Sequence, residues 1–326
     1  MSLLEVSDLN VWFDLPGGGQ VHAVQGVSFA LDGGQRFGLV GESGCGKTTT
    51  ILALMGLLPP NAEVSGDVRI DGRSVLAGGE DSIRPHRWKD IAMVFQGAMN
   101  ALNPVKKVGW QIAEPMALHG VAEGSAARKR AGELLELVGI PASAAERYPH
   151  EFSGGMRQRA SIAMALACQP KILLADEPTT ALDVMVQAQI LELLTSLSDE
   201  LGLALILVTH DLPVVAQMCD QAAVMYAGKI VEDGPMETLF HAPRHPYTRL
   251  LFAATPDLYG REAVVSIPGA PPRLDREITG CSFRQRCDVA MESCAAEHPD
   301  LITIGAGHRA ACLRNTARRE ETAEVR

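Results

Sequence analysis

The residues best suited to chemistry in this sequence are Gly41-Glu42-Ser43-Gly44-Cys45-Gly46-Lys47-Thr48, which fit the pattern G-x-x-x-x-G-K-[ST]. An apolar, strand-like run precedes them and a helix-like run from Thr49 to Leu58 follows them. Glycines let the backbone wrap a phosphate with its N–H groups pointing inward, and the start of the helix adds partial positive charge. We therefore expect a nucleotide-phosphate site, the alternative being an ordinary glycine-rich turn. Its expected contacts are Gly41, Ser43, Gly44, Cys45, Gly46, Lys47, Thr48 and Thr49.

Two adjacent acids, Asp176 and Glu177, end the apolar run that begins at Ile172. A carboxylate at such a place can hold Mg²⁺ beside a phosphate, and a second can orient a water molecule. We assign the metal side to Asp176, together with the Thr48 hydroxyl, and the general base to Glu177. The alternative is a pair of solvated acids at a strand end.

Composition excludes several classes of function. The chain has 326 residues and a net charge of −10, which argues against a broad nucleic-acid surface. No apolar run approaches the ~20 residues that span a bilayer, and the N-terminus lacks the pattern of a signal peptide. We therefore expect a cytoplasmic protein whose seven cysteines are reduced, so that a cysteine cluster indicates metal binding or catalysis before a disulfide.

Short apolar segments alternate with helical patterns, which predicts an α/β fold with a parallel sheet buried on both faces. A more polar, helical stretch from about 98 to 160 interrupts this alternation and predicts a helical insertion. Residues 3–13 and 21–31 are predicted strands near the N-terminus, and residues 223–231 a closing hairpin. The other predicted strands are Val68–Ile70, Ile91–Phe95, Ile172–Ala175 and Leu203–Val208.

Prolines become frequent after Gly234, and their density opposes long helices and central strands. We place a boundary there, with residues 1–235 as the nucleotide-binding domain. Residues 236–326 are expected to form an appended region that crosses the surface and ends in a charged tail from Arg314.

The stretch Phe152-Ser153-Gly154-Gly155-Met156 resembles the signature of the ATP-binding-cassette (ABC) family, usually written Leu-Ser-Gly-Gly-Gln. The resemblance implies a P-loop NTPase fold with a RecA-like parallel sheet core, an antiparallel β subdomain and a helical subdomain. It also implies that Ser153, Gly154 and Gly155 cap the triphosphate bound by a second cassette. Met156 departs from the pattern and lacks the amide of glutamine.

Further motifs follow the family's order. Gln96 resembles the glutamine that senses Mg²⁺ and the attacking water and contacts membrane subunits, and His210 resembles the switch histidine at the γ-phosphate. Asp183 lies in a match to the loop that couples two sites across a dimer. The family also stacks an aromatic ring on adenine; Phe13 is the candidate here, with Trp12 as the alternative, and core packing of the ring is a third interpretation.

The resemblance implies an ATPase that uses ATP and Mg²⁺. A transporter subunit is favoured over a soluble cassette protein acting on DNA or ribosomes, because the chain has one cassette, no long heptad run and an acidic charge. The stretches 95–104 and His245–Leu251 resemble the di- and oligopeptide importer branch, whose close relatives also serve nickel. The implied partners are two membrane permeases, a second ATPase, paralogous or identical, and indirectly an extracytoplasmic binding protein, with the chain on the cytoplasmic face.

The branch has a C-terminal module that this sequence matches from Ile267 through Cys312. Within it the spacing C-x5-C-x6-C-x17-C places Cys281, Cys287, Cys294 and Cys312. Four clustered cysteines suggest a tetrathiolate site, and the spacing is not that of a paired C-x2-C zinc ribbon. The resemblance implies a structural [4Fe–4S] cluster; the alternatives are zinc and four free thiols.

Overall fold

The computed structural model describes residues 2–97, 101–254, 266–276 and 278–315. Residues 98–100 of the stretch that resembles the peptide-importer branch, and nearly all of the predicted charged tail, lie outside these ranges. The strands are β1 Leu4–Asp14, β2 Gln20–Leu31, β3 Arg36–Val40, β4 Ala62–Ile70, β5 Arg73–Ser74, β6 Ile91–Val94, β7 Ile172–Asp176, β8 Ala204–Thr209, β9 Gln221–Tyr226, β10 Lys229–Pro235, β11 Ile302–Gly305 and β12 His308–Ala310. The helices are α1 Lys47–Leu54, α2 Glu80–Ile83, α3 Val108–Leu118, α4 Gly124–Leu137, α5 Gly154–Ala165, α6 Val184–Leu201, α7 Leu212–Met218, α8 Met236–His241 and α9 Pro246–Ala253.

The main sheet has eight strands in the order β11-β12-β10-β9-β3-β8-β7-β6. From β9 to β6 the neighbouring strands run parallel. Every residue of β6, β7 and β8 is buried, as expected where helices cover both faces. The carboxyl ends of these strands meet at one edge of the sheet, so residues that follow them are brought together there. The predicted parallel core is confirmed.

A second, antiparallel sheet has the order β2-β1-β4-β5. Its inner face carries alternating buried residues such as Leu4, Leu9 and Val24, which pack in one core with Ile51 and Leu54 of α1. This sheet therefore holds the helix that begins at Lys47 from one side, while the main sheet holds it from the other.

Between β6 and β7 the chain forms a helical region in which α3, α4 and α5 pack together. Their contact is made by fully buried apolar side chains, among them Ile112, Leu135 and Ile162. The helices cover residues 108–165, close to the predicted helical stretch of about 98–160.

The C-terminal region extends the main sheet instead of only crossing the surface. Strand β12 pairs with β10, Glu232 lying opposite Ala310, and β11 pairs with β12. The pairing satisfies the otherwise open edge of β10. The predicted boundary at residue 235 thus falls between two parts of one sheet. In the described ranges no helix is both long enough and apolar enough to cross a bilayer.

Candidate nucleotide site

The loop from Gly41 to Gly46 joins β3 to α1 and needs glycine at both ends. A Cβ atom at Gly41 would lie 2.2 Å from the carbonyl oxygen of Met225, and one at Gly46 would lie 2.5 Å from that of Ala23. Both residues also have left-handed φ angles, 150° and 104°. Gly44 has φ of 78° but open space around it. The loop is therefore fixed against neighbouring backbone, as a phosphate-wrapping turn requires.

The side chain of Lys47 is buried and folds back over this loop. Its Nζ donates to the carbonyl oxygens of Gly41, at 2.7 Å, and Glu42, at 3.0 Å. Ser43 and Thr48 are exposed and Thr49 is half-buried, whereas Cys45 is buried. Burial raises the pKa of the Cys45 thiol, so this thiol packs as an apolar group. The ammonium is held where an anion entering the loop would meet it.

Asp176 ends β7 directly beside the loop. The Thr48 hydroxyl donates to its Oδ1 at 3.2 Å, and only 2% of the residue is exposed. Burial raises the pKa of Asp176 to about 6, outweighing the Thr48 hydrogen bond that lowers it. A buried carboxylate next to a hydroxyl is a pair of hard oxygen donors, which fits the ligand preference of Mg²⁺.

Glu177 is the point on which the other predicted catalytic side chains converge. Gln96 Nε2 donates to its Oε2 at 2.8 Å, and His210 Nδ1 lies 3.1 Å from its Oε1. The Thr180 hydroxyl donates to the same Oε2 at 3.0 Å. Gln96, Glu177 and His210 follow β6, β7 and β8, so the sheet itself assembles the group.

The backbone and the charge of Glu177 are both constrained. Its φ is 41°, a left-handed value that is costly for a non-glycine residue, and its N–H donates to the Val208 carbonyl at 2.8 Å. Burial acts to raise the pKa of Glu177, but the hydrogen bonds from His210 and Thr180 outweigh it and lower the pKa. The carboxylate is therefore ionised near neutral pH and able to accept a proton or orient a water molecule.

The predicted signature and coupling residues cap two helices that touch. Ser153 Oγ accepts from Met156 N at 3.2 Å at the start of α5, and Asp183 accepts from Val186 N at 3.0 Å at the start of α6. A Cβ atom at Gly155 would lie 2.7 Å from Val186, and one at Gly154 would lie 3.4 Å from Leu182. Met156, which departs from the family pattern, packs against the core of the helical region.

The two adenine-stacking candidates both have partners within the chain. Trp12 stacks on His22 with ring centroids 4.4 Å apart. Phe13 is half-buried and packs against the core cluster that contains Cys45 and Ile51.

None of the four C-terminal cysteines forms a disulfide, and all four line one small cavity of about 20 Å³. The Cys281 N–H donates to the Cys294 carbonyl at 2.9 Å, which ties two of them together. Burial raises the pKa of Cys281, Cys287 and Cys312. The donor set is that of a tetrathiolate site, but the cavity has room for about one water molecule. In the described part of the chain no group of three or more His, Cys, Asp or Glu is arranged to hold a metal ion, so the predicted cluster is not supported.

Sequence reasoning missed three residues at this site. Thr180 is one, although its place shortly after the acid pair could have suggested it. The others are Tyr247 and Arg286, whose side chains reach Glu42 in the loop. No pattern in the sequence indicated a contact across more than 200 residues.

A glycine-rich loop that starts a helix, beside an acid that ends a parallel strand, defines a P-loop nucleotide-binding protein. The ABC transporter family model matches residues 24–180, and that of the oligopeptide/dipeptide transporter C-terminal region matches residues 231–294. The chain belongs to the ABC transporter family, in the branch with this C-terminal region.

Relatives with named functions align with nearly the whole length of this chain. A probable peptide ABC transporter ATP-binding protein of Sinorhizobium fredii is 47% identical, over 96% of this chain and 95% of that protein. The oligopeptide transport ATP-binding protein OppD of Bacillus subtilis is 47% identical over 94% and 87%, and OppD of Escherichia coli 46% identical over 96% and 93%. The dimeric ATP-binding cassette MJ0796, solved with ADP and Pi, superposes with a TM-score of 0.63 at 28% identity, over 72% of this chain and 98% of that one.

Proposed function

We propose that this chain is the ATP-hydrolysing subunit of a membrane transporter that imports di- and oligopeptides, and that it works at the cytoplasmic face of the membrane. The observation that carries the proposal is the convergence of Gln96, Thr180 and His210 on Glu177, next to Asp176 and the loop. The named functions of the relatives, peptide and oligopeptide transport, supply the cargo class.

The residues of this site have different roles in phosphoryl transfer from ATP to water. Lys47 and the loop N–H groups bind the phosphates, with Gly41, Ser43, Gly44, Cys45, Gly46 and Thr49 lining them. Thr48, Asp176 and Gln96 would hold Mg²⁺. When bound there, Mg²⁺ neutralises charge that develops on the transferring group. Glu177 orients the attacking water and accepts its proton, since it is ionised and held on two sides. His210 contacts the γ-phosphate, and Phe13 stacks on adenine.

A second cassette completes the site. Ser153 and Asp183 are both exposed, and beside Asp183 the apolar side chains of Val184 and Met185 are 78% and 71% exposed. Such a surface favours burial against a partner. Ser153, Gly154 and Gly155 cap the partner's triphosphate, and Asp183 couples the two sites. We propose a paralogous partner; an identical copy is the alternative, and mass measurement of the purified transporter distinguishes them.

The permeases dock on the helical region. A groove of about 540 Å³ runs between α3 and α4, with Trp110 47% exposed and Leu118 73% exposed at its walls. Lys107, which precedes α3 and lies eleven residues after Gln96 in the chain, lines one part of the groove. An apolar helix from one membrane subunit would fit this groove.

The family resemblance predicts a [4Fe–4S] cluster held by Cys281, Cys287, Cys294 and Cys312. These four residues line one cavity, but the described residues are not arranged to hold a metal ion, so metal content decides this prediction. A cluster bound there would be structural, because a region with little core of its own gains stability from a metal site. Iron and acid-labile sulfide should copurify under anaerobic conditions; zinc alone, or no metal, contradicts the cluster.

The test is uptake by the whole transporter. Proteoliposomes with the permeases, both ATPases and the binding protein should take up a labelled tripeptide only with ATP inside, and Lys47→Ala should abolish uptake. ATP-driven uptake of Ni²⁺ without peptide uptake would favour the nickel alternative. A chain that copurifies with ribosomes or DNA instead of permeases would contradict the transporter.

A further inference from the structure

Glu42, the second residue of the phosphate loop, is held by side chains from the far end of the chain. Its carboxylate accepts two hydrogen bonds from Arg286, from Nη1 at 2.6 Å and from Nη2 at 2.8 Å. Its N–H donates to the Tyr247 hydroxyl oxygen at 2.9 Å. The same residue offers its carbonyl oxygen to Lys47 at 3.0 Å. Glu42 thus joins the C-terminal region to the lysine of the loop.

Burial and further hydrogen bonds fix the side chain of Arg286 in this position. Its side chain is only 4% exposed, so its charge is buried and must be paired. Nε donates to the Pro268 carbonyl at 2.8 Å, and Nη1 also lies 3.3 Å from the Tyr226 hydroxyl. The guanidinium is therefore fixed from the C-terminal region and from β9 before it meets Glu42.

The segment that carries Arg286 is fixed by an aromatic cluster. Phe283 is fully buried against Tyr226 and Tyr247, with ring centroids 5.2 and 5.3 Å away. Both Phe283 and Arg286 lie between Cys281 and Cys287. The four-cysteine region and the phosphate loop are consequently parts of one packed unit.

We infer that Arg286 is a positioning residue for ATP binding: through Glu42 it holds the phosphate loop in its binding conformation, so the C-terminal region sets nucleotide affinity. The inference rests on the proposed nucleotide site. A loop already fixed in its bound shape loses less conformational entropy when a ligand binds. A bidentate arginine–carboxylate pair fixes the orientation of the two side chains and also contributes interaction energy. Neither side chain contacts the reacting atoms, so the effect falls on binding and not on the chemical step.

The experiment compares Arg286→Met with a matched control, Arg249→Met, in the full chain within its transporter. In the same region Arg249 Nη2 lies 2.7 and 2.6 Å from the two carboxylate oxygens of Asp288, and this pair is exposed. We expect Arg286→Met to raise the dissociation constant and the KM for Mg-ATP at least about fivefold with kcat retained, which is the size of typical coupling between sites. Arg249→Met should match the wild type.

Glu42→Gln tests the contact from the loop side, in case Arg286→Met fails to fold. Glu42→Gln should also weaken ATP binding. The double variant, Glu42→Gln with Arg286→Met, should bind ATP no more weakly than the single variant with the lower affinity, since both substitutions remove the same interaction. Unchanged or tighter ATP binding in Glu42→Gln or in folded Arg286→Met, additive losses, or an equal loss in Arg249→Met would overturn the inference alone. A wild-type chain that binds no ATP would overturn the proposed function and the inference together.

Discussion

The group around Glu177 and the contacts of the C-terminal region are assembled in different ways. Gln96, Glu177 and His210 each follow a strand of one parallel sheet, so regular structure alone brings them to one edge. Glu42 and Arg286 are 244 residues apart, and Glu232 and His308 are 76 apart. The first pair meets because of how segments distant in the chain pack, and the second because β12 pairs with β10. The first region is assembled by the order of strands in one sheet, whereas the second reaches the loop through side-chain contacts between distant segments.

The largest effect on ATP binding should come from the loop's own backbone. Gly46→Ala should lower ATP affinity more than about a hundredfold, because φ is 104° and the new Cβ would lie 2.5 Å from the Ala23 carbonyl oxygen. Equilibrium binding of Mg-ATP checks this. Gly44→Ala is the matched control: it also has a left-handed φ but open space, and the cost of about 1 kcal/mol should weaken binding far less. Equal affinities for the two variants would contradict the account.

The next effect tests the strand-end group. His210→Ala should lower kcat about a hundredfold with ATP binding nearly unchanged, because it removes a hydrogen bond that orients Glu177 and a contact proposed for the γ-phosphate. Steady-state hydrolysis by the transporter measures it. His241→Ala, an exposed histidine at the end of α8, serves as control. A kcat for His210→Ala equal to that of the control would remove His210 from the site.

The smallest effect on hydrolysis should come from the anchor of the C-terminal region. Glu232 is fully buried and accepts from Arg244 N, His245 N and His308 Nε2. Glu232→Gln should lower the free energy of unfolding by about 2 kcal/mol, since hydrogen bonds to a charged acceptor are lost, while kcat changes little. Thermal unfolding measures the loss of stability, and Glu237→Gln, which changes an exposed glutamate nearby, is the control. Unchanged stability, or a kcat loss as large as that of His210→Ala, would remove the contrast between the two regions.

The sequence predicted the regular part of the molecule well. The loop, the acid pair and the apolar strands carry strong local patterns, and parallel strands place their carboxyl ends together whatever the loops do. The convergence of Gln96 and His210 on Glu177 therefore follows from topology once the strands are known.

The rest could not be predicted because it depends on packing between distant segments. In the described residues after Gly234 the two α-helices are short, with six and eight residues, as the proline density predicts. The proline density gave no sign of the two short strands that add to the edge of β10. Arg286 is flanked by glutamine and cysteine and shows no periodicity, so nothing local distinguishes it from a solvated surface arginine. The spacing of the four cysteines indicated that they cluster, but not the size of the cavity they line.

The most direct test of the central claim is Glu177→Gln, with ATP binding and phosphate release measured in the same transporter preparation. We predict that ATP binding is retained and phosphate release falls about a thousandfold, the contribution expected of a general base. Glu192→Gln, an exposed glutamate on α6, should leave both unchanged. Undiminished phosphate release in Glu177→Gln would contradict the assignment of the strand-end group as the site of ATP hydrolysis.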